Sequence, residues 1–248
     1  MAVVLHVHGH EQRYRDSVSS QPTAAGTDPQ LGPAPARSAR FWFTLNAAVA
    51  WSGLTLQTFL SATGMYPATA TSPSQVGYNN PPGLAGMIPR LIDLFSYFTV
   101  LSNTIVAVVL TMLAVRAHGR GWRFRVVRLD SLMMILVTGI VYAVLLAPTA
   151  STVGWQVPAN SLLHQITPSV TLLVFLLVGP RGWLTWRTLP AALVIPIIWV
   201  VYTLLRGAVI QAYPYPFIDV IRLGYAQVLI NVAGIAVFGV VLGAIFGG

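Results

Sequence analysis

The sequence predicts an all-α polytopic membrane protein with six transmembrane helices in one bundle, and three observations predict it. Hydrophobic residues make up 55% of the 248 residues and charged residues only 8%, whereas a soluble domain carries about a quarter charged residues. The mean hydropathy is +0.70. Six apolar segments are also long enough to cross about 30 Å of hydrocarbon at a rise of about 1.5 Å per residue.

Residues 1–38 differ in composition from the rest of the chain and predict a disordered cytoplasmic N-terminal arm. A segment so rich in Pro, Ser, Gly and Ala buries too little apolar surface to order its backbone. His6, His8 and His10 interrupt the apolar run that a signal peptide would need. These histidines could bind a metal ion, but their spacing of two and the lack of supporting groups nearby favour a solvated tract.

Residues 39–248 are predicted to form the six-helix transmembrane domain. The predicted spans are 41–62, 91–115, 132–150, 161–178, 189–210 and 223–246. The loop after the first span is long and rich in turn-forming residues, whereas the other connections are short enough to make successive helices neighbours. Both chain ends lie on the same side of the membrane, because the number of spans is even.

The arginines predict which side that is, since all 14 basic residues of the chain are arginine. With the N-terminus inside, nine arginines from Arg37 onward face the cytoplasm and three face outward. The inner set is Arg37, Arg40, Arg116, Arg120, Arg123, Arg125, Arg128, Arg181 and Arg187, and the outer set is Arg90, Arg206 and Arg222. This positive-inside bias predicts cytoplasmic termini. The basic run 116–128 is read as the orientation determinant, with an anionic-lipid site as the alternative.

Composition also excludes several classes of function. The chain has no cysteine, which excludes disulfides, thiolate metal sites and a cysteine nucleophile. No folded segment carries the dense basic face that nucleic-acid binding requires. The absence of lysine excludes retinal attachment, and His164 is the one histidine in a predicted span, whereas a haem-carrying bundle needs histidine pairs. We therefore expect no cofactor, no metal and no nucleic-acid partner.

Two of the predicted spans each carry a stripe of polar residues, and such residues in hydrocarbon need partners or a function. At about 100° per residue, each set falls on one side of its helix. The first set is Asp93, Ser96, Thr99 and Asn103, and the second is Asn160, His164, Thr167 and Thr171. Thr99 lies roughly 13 Å and His164 roughly 6–10 Å from the outer start of its helix, so both can share one depth.

The two stripes have two interpretations. Ser, Thr and Asn hydrogen-bond between helices in membrane bundles as a matter of course, and Thr can bond the carbonyl four residues earlier, so the stripes could serve only to hold the helices together. Histidine, however, is the residue that can accept and return a proton near neutral pH, which a general base must do. His164 therefore indicates a possible reaction centre.

Three segments resemble a known family: FSYFTVLSNT at 95–104, NSLLHQITPSV at 160–170, and YPYPF at 213–217 followed by Asp219. They are similar to the androgen-induced-protein family of integral membrane hydrolases, and more so to its bacterial branch of Pr6Pr-type six-helix membrane proteins. The resemblance implies a multi-pass protein of the cell (inner) membrane that cleaves fatty acid esters of hydroxy fatty acids. It makes Thr99 the nucleophile and His164 the base, with membrane lipids and a lipid ester as partners.

This sequence also departs from the animal members of that family. Ser161 stands where they have a second histidine, and Ser102 and Asn103 follow the threonine where they have smaller, more hydrophobic residues. The chemistry remains coherent, because a threonine hydroxyl is a poor nucleophile at neutral pH and needs an adjacent base.

Further residues are predicted to support this pair. Ser96, Asn103 and Asn160 are candidate donors or positioning groups. Asp219 is favoured over Asp93 as the acid that orients His164. Arg206 could pair with either acid, bind a substrate carboxylate, or extend to the outer headgroups.

Two other functional classes stay open. A small-solute or lipid transporter would use broken helices or inverted repeats, and GLAGMIPR, TPSV and VIPII offer only modest proline interruptions. A non-catalytic membrane or lipid-binding protein would use the same polar stripes without chemistry.

Overall fold

The computed structural model describes residues 37–65, 70, 72–115, 121–179 and 185–247, and their regular structure is helical. One isolated parallel bridge joins Gln75 to Tyr213. The arm predicted at residues 1–38, with its histidines, lies outside the described residues except for Arg37 and Ser38, which begin the first helix.

The described part of the chain consists of α-helices with short 3₁₀ and π-helical segments between some of them. The α-helices are α1 Arg37–Thr63, α2 Met87–Ser96, α3 Phe98–Val115, α4 Trp122–Val141, α5 Gln156–Ser161, α6 Thr167–Val178, α7 Leu189–Ala192, α8 Val194–Ile210 and α9 Val220–Gly247. Tyr142–Leu146 continues α4 as a π-helix, and Leu162–Ile166 joins α5 to α6 in the same way. Short 3₁₀ helices lie at Gly83–Gly86, Ala147–Thr149, Trp186–Thr188 and Pro216–Ile218.

Five helical stretches in the described part of the chain are long and apolar enough to cross a membrane. They are Phe98–Val115, Trp122–Thr149, Gln156–Val178, Trp186–Ile210 and Val220–Phe246. The chain is thus an all-helical, multi-pass membrane protein by length and composition. The sixth span, which α1 would supply, and the side on which the termini lie stay predictions.

The second predicted span is not one helix, which corrects the prediction of a continuous helix over 91–115. Tyr97 is extended, with φ −76° and ψ 135°, so α2 ends at Ser96 and α3 begins at Phe98. The break leaves the Ser96 carbonyl without its helical partner. Trp199 of α8 supplies a replacement, because its Nε1–H donates to that carbonyl at 3.0 Å.

The third and fourth spans begin earlier than predicted. The helical stretch predicted at 132–150 begins at Trp122 and ends at Thr149, so Arg123, Arg125 and Arg128 lie inside its first helix. Arg128 is 3% exposed, and its guanidinium lies over the Phe175 ring at 5.9 Å from the centroid, a favourable cation–π contact. The fourth begins at Gln156, whose Oε1 accepts the Val153 N–H at 3.1 Å.

Close helix packing brings the segment 162–166 against its neighbours. A Cβ added to Gly53 of α1 would meet the Leu162 Cβ at 3.0 Å, and one added to Gly139 of α4 would lie 3.4 Å from the His164 carbonyl oxygen and 2.9 Å from the Pro168 Cβ. Small residues at such positions let helix backbones approach closely in membrane proteins. The π-helix at Leu162–Ile166 is therefore held between α1 and α4.

Two connecting segments, 72–82 and 211–219, form what we call the cap of the bundle. The Val76 N–H donates to the Tyr213 carbonyl at 3.1 Å, and the Tyr213 N–H donates to the Ser74 carbonyl at 2.8 Å. The Tyr213 ring packs against Gly207, where an added Cβ would lie only 2.1 Å from a ring carbon. The cap thus fixes the position of the next residues, including Tyr215.

Candidate functional site

Thr99 is the second residue of α3, directly after the break at Tyr97. The first four N–H groups of a helix have no carbonyl partner within the helix. The Thr99 N–H donates instead to the phenol oxygen of Tyr215 in the cap, at 3.1 Å. Thr99 is only 6% exposed, so this bond fixes a buried backbone group as well as the side chain beside it.

His164 lies within hydrogen-bonding distance of Thr99. The distance from Thr99 Oγ1 to His164 Nε2 is 3.1 Å, so the two polar stripes predicted from helical spacing face each other at these residues. His164 belongs to the π-helix at Leu162–Ile166. Single π-helical turns are rare and occur often at functional sites.

The hydrogen-bond partners determine where the protons lie in the neutral site. His164 Nδ1 is 3.1 Å from the Asn160 carbonyl oxygen, which can only accept, so the proton of the neutral ring belongs on Nδ1. Nε2 is then an acceptor, and the Thr99 hydroxyl donates to it. The Tyr215 hydroxyl, 3.1 Å from Thr99 Oγ1, must therefore be the donor to Oγ1. The order is Tyr215 to Thr99 to His164 to Asn160.

The Tyr142 ring stacks on one face of the His164 imidazole. The two rings stack with centroids 4.2 Å apart and an interplanar angle of 26°. The Asn160 amide Nδ2–H donates to the Tyr142 hydroxyl. Asn160 thus bonds both stacked residues: Tyr142 through its side chain and His164 through its backbone carbonyl. Asn160 is therefore a positioning residue for His164.

Asn103 ties the two helices together beside the pair. Its Nδ2 donates to the Thr99 carbonyl at 2.8 Å and to the Leu163 carbonyl at 3.1 Å. Ser102 Oγ also donates to the Thr99 carbonyl at 3.0 Å. Asn103 is fully buried and thus fixes the spacing between the Thr99 turn and the segment of His164.

Ser96 and Arg206 lie in a second polar group, on the cap side of the break. Ser96 Oγ donates to the Ile92 carbonyl and is 2.9 Å from the Tyr202 hydroxyl, so its described bonds do not include Thr99. Arg206 Nη2 forms an ion pair with Asp93 at 2.6 Å. Of the two acids proposed for Arg206, the structure selects Asp93.

Asp219 does not orient His164, which corrects that part of the sequence interpretation. Its carboxylate accepts the Ile221 N–H at 3.0 Å, the Arg222 N–H at 3.2 Å and the Ser74 hydroxyl. Such bonds to the first N–H groups make Asp219 the N-cap of α9. The group on His164 Nδ1 is the Asn160 carbonyl, which no side-chain pattern could reveal.

An apolar cavity of about 250 Å³ opens beside Thr99. Its wall includes Thr99, Thr138, Tyr142 and Tyr215, and the other lining residues are apolar, with Phe98 and Trp199 among them. Along α4 and its π-helical continuation the lining runs from Met133 to Leu146, about 20 Å at the helical rise. His164 is not part of the wall, so Thr99 stands between the cavity and the histidine.

Tyr215 and Tyr142 are the site residues that sequence reasoning missed. Burial raises the pKa of Tyr215 to about 12, so the phenol keeps its proton and remains a hydrogen-bond donor at neutral pH. From the sequence alone, the YPYPF segment favours an interfacial aromatic belt, with a cap over the site as the alternative. Pro214 and Pro216 on either side of Tyr215 were the one available signal, since they stiffen the backbone that carries it.

Comparisons with known proteins add no family assignment. No family model matches the chain, and no curated protein or solved structure is significantly similar to it. The resemblance to the androgen-induced-protein family therefore stays a prediction. Within the described ranges, no group of three or more His, Cys, Asp or Glu side chains is placed to hold a metal ion.

Proposed function

We propose that this chain is an integral membrane hydrolase that cleaves lipid esters, of the type formed by a fatty acid and a hydroxy fatty acid. The observation that carries the proposal is the Thr99–His164 hydrogen bond, with the threonine on the wall of an apolar cavity. A hydroxyl nucleophile needs a base within about 3.2 Å, and the base needs a group that orients it. His164 and the Asn160 carbonyl meet these two requirements.

The reaction would proceed through an acyl-threonine. His164 Nε2 takes the hydroxyl proton as Thr99 Oγ1 attacks the ester carbonyl carbon, which gives a tetrahedral oxyanion. The oxyanion collapses, the carbon–oxygen bond to the alcohol breaks, and the leaving oxygen takes the proton from Nε2. A water then attacks the acyl-threonine with His164 as base, which releases the acid and restores the Thr99 hydroxyl.

Two donors beside Thr99 support this chemistry. In the structure the Thr99 N–H donates to the Tyr215 oxygen and the Tyr215 hydroxyl donates to Thr99 Oγ1. A substrate carbonyl oxygen would accept from both donors by replacing these two bonds, and the donors would then stabilise the oxyanion. The start of α3 adds a favourable partial positive charge, since the N-terminus of a helix carries roughly half a unit charge.

The membrane setting we propose has six spans, with α1 as the first. The 27 residues of α1 would extend about 40 Å, enough to cross the bilayer. It is less apolar than the other spans partly because Asn46 and Ser61 face the bundle, where both are buried. With both termini in the cytoplasm, as the arginines predict, the cap faces outward and the protein lies in the inner membrane.

The test is ester hydrolysis by the purified protein in detergent. Branched fatty-acid esters and short-chain aryl esters are offered to wild type, Thr99→Ala and His164→Ala. We expect wild type to release acid and both variants to lose at least about 10²-fold of the rate. Thr104→Ala is the matched control, because Thr104 lies on the same helix and bonds only the Val100 carbonyl among its described contacts.

A wild type that releases no acid, or alanine variants as active as wild type, would exclude the hydrolase. The second candidate is then a non-catalytic lipid-binding protein, which the largely apolar cavity wall also favours. In that case a lipid would bind wild type and Thr99→Ala equally, without turnover. Concentrative uptake of a solute into proteoliposomes would instead support a transporter.

A further inference from the structure

The wall of the cavity reaches the surface of the protein at the middle of two helices. Ile197 and Val201 of α8 line the cavity although they are 58% and 51% exposed. Ala236 of α9 also lines the cavity and is exposed. Residues that belong both to the wall and to the outer surface mark the mouth of a cavity. The mouth therefore lies between α8 and α9.

This mouth lies at the depth of hydrocarbon. Ile197 and Val201 lie near the middle of the apolar stretch Trp186–Ile210, and Ala236 lies well inside Val220–Phe246. At the helical rise, each of these three residues lies more than about 13 Å from the nearer end of its apolar stretch. A hydrocarbon core is about 30 Å thick, so the three residues lie near its middle. A surface at that depth contacts lipid chains, not water.

The end of the cavity under the cap is closed, in contrast. Ile218 lines the cavity there and is fully buried, and Tyr215 is 7% exposed. The hydrogen bonds between Val76, Tyr213 and Ser74 hold the cap in place above them. A molecule dissolved in water would have to displace this hydrogen-bonded segment, whereas a molecule dissolved in the bilayer meets an apolar mouth.

We propose that the gap between α8 and α9 is a lateral portal through which one acyl chain of a membrane lipid enters the cavity from the bilayer. The wall offers such a chain apolar contact over about 20 Å along α4, roughly two thirds of the hydrocarbon thickness. The chain would place its ester beside Thr99 and extend its tail toward Met133 and Leu193. Entry and binding of the chain do not require the proposed hydrolase function, and only the cleavage that follows binding rests on it.

Gly239 provides a way to alter the far end of the cavity. It lines the cavity, and a Cβ added there would meet only the Val137 Cγ2, at 3.7 Å, an ordinary contact. The backbone therefore tolerates a side chain at this position, and the side chain takes space from the cavity. Gly239 thus sets how long a chain the cavity accepts.

The test is photo-crosslinking of the full-length protein in phosphatidylcholine vesicles that contain a lipid with a diazirine at the end of its acyl chain. We expect crosslinks on cavity-lining residues in wild type and in Thr99→Ala, because this change removes only one small side chain from the wall. Ala236→Trp, which fills the mouth, should reduce these crosslinks several-fold. Val237→Trp is the control, because Val237 is 63% exposed and does not line the cavity.

A second variant covers the case in which Ala236→Trp does not fold. Gly239→Leu should shift the preferred crosslinked lipid toward a shorter chain, and a thermal unfolding curve of each variant checks that it is folded. Crosslinks confined to outward-facing residues, or cavity crosslinks unchanged in folded Ala236→Trp and Gly239→Leu, would overturn the portal. Cavity crosslinks in a wild type that hydrolyses no ester would overturn the proposed hydrolase while the portal stands.

Discussion

Tyr215 is the residue on which most of the site depends. Its phenol oxygen accepts from the Thr99 N–H and its hydroxyl donates to Thr99 Oγ1, both at 3.1 Å. Its ring is held edge-on against Tyr97, with centroids 5.5 Å apart, and stacked on Phe217 at 5.1 Å. The ring contacts place the phenol, and the phenol places both the backbone and the hydroxyl of Thr99.

Replacement of Tyr215 by Phe separates the contribution of the ring contacts from that of the phenol hydroxyl. Tyr215→Phe keeps the ring contacts but leaves the buried Thr99 N–H without an acceptor, a change that costs about 1–3 kcal/mol. We expect a lower melting temperature and, if the proposed hydrolysis occurs, a kcat lower by about 10²-fold with little change in KM. Tyr202→Phe is the control, since Tyr202 bonds Ser96 and not Thr99. An unchanged kcat in Tyr215→Phe would remove the phenol from the mechanism.

The pKa of Tyr215 predicts a pH dependence of stability. Burial raises that pKa to about 12 from the ordinary value of about 10. Between these values the unfolded chain loses the proton while the folded chain keeps it, so folding stability falls as pH rises through this range. The slope approaches about 1.4 kcal/mol per pH unit for one such group.

The measurement is thermal unfolding of wild type and Tyr215→Phe at pH 8 and pH 11. Wild type should lose more stability than the variant over this interval, because other tyrosines titrate in both proteins alike. Equal losses would show that Tyr215 is accessible to hydroxide and not buried as described.

At the scale of elements, helices in this protein depart from regular geometry where they contribute to the site. The break at Tyr97 places Thr99 at a helix start, and the π-helices at Tyr142–Leu146 and Leu162–Ile166 carry the stacked Tyr142 and His164. Helical spacing could predict that Thr99 lies on a polar face of its helix and that His164 lies on a polar face of another helix. It could not predict these departures, because no Gly or Pro occurs at 97 and the Ser96 carbonyl is satisfied by Trp199, a residue 103 positions away.

The kink in α9 gives a prediction at this scale. Gly224 has φ +74° and ψ 160°, a conformation that residues with a Cβ rarely adopt. Gly224→Ala should therefore destabilise the protein by about 1 kcal/mol or more, through strain and not through collision, since an added Cβ meets nothing within 4 Å.

Gly234→Ala is the matched control for this kink. Gly234 lies in the same helix with open space around its Cβ position and no positive φ. Its replacement should stabilise the helix by up to about 1 kcal/mol, since alanine has the higher helix propensity. If both substitutions shift the melting temperature in the same direction, the kink at Gly224 is not a constrained feature of α9.

For the whole molecule, composition and hydropathy were enough to predict an all-helical membrane protein, because these properties are summed over long segments. The cap was beyond such reasoning. Its bonds join Ser74 and Val76 to Tyr213, and no local pattern records a contact between segments so far apart. Asp219 has one such distant partner, Ser74, 145 residues away, whereas its N-cap bonds to Ile221 and Arg222 are local.

The orientation of the whole chain can be tested directly, since the sequence contains no cysteine. Asn79 in the cap and Arg123 at the start of α4 are both exposed. The positive-inside bias predicts that Asn79→Cys reacts with a membrane-impermeant maleimide in intact cells, and that Arg123→Cys reacts only after the cells are opened. The reverse pattern would place the cap in the cytoplasm and the termini outside.

The bond between Thr99 and Tyr215 also has a consequence for how the protein is made. The two residues are 116 positions apart, so the ribosome delivers Thr99 to the membrane well before the phenol that completes its surroundings. Thr99 and His164 can meet once the fourth span is inserted, but they lack Tyr215 until the loop before the last helix has been translated. A chain that ends before residue 215 would therefore carry the pair in an unfinished form, and the hydrolysis we propose would begin only once Tyr215 has been translated and has folded into place.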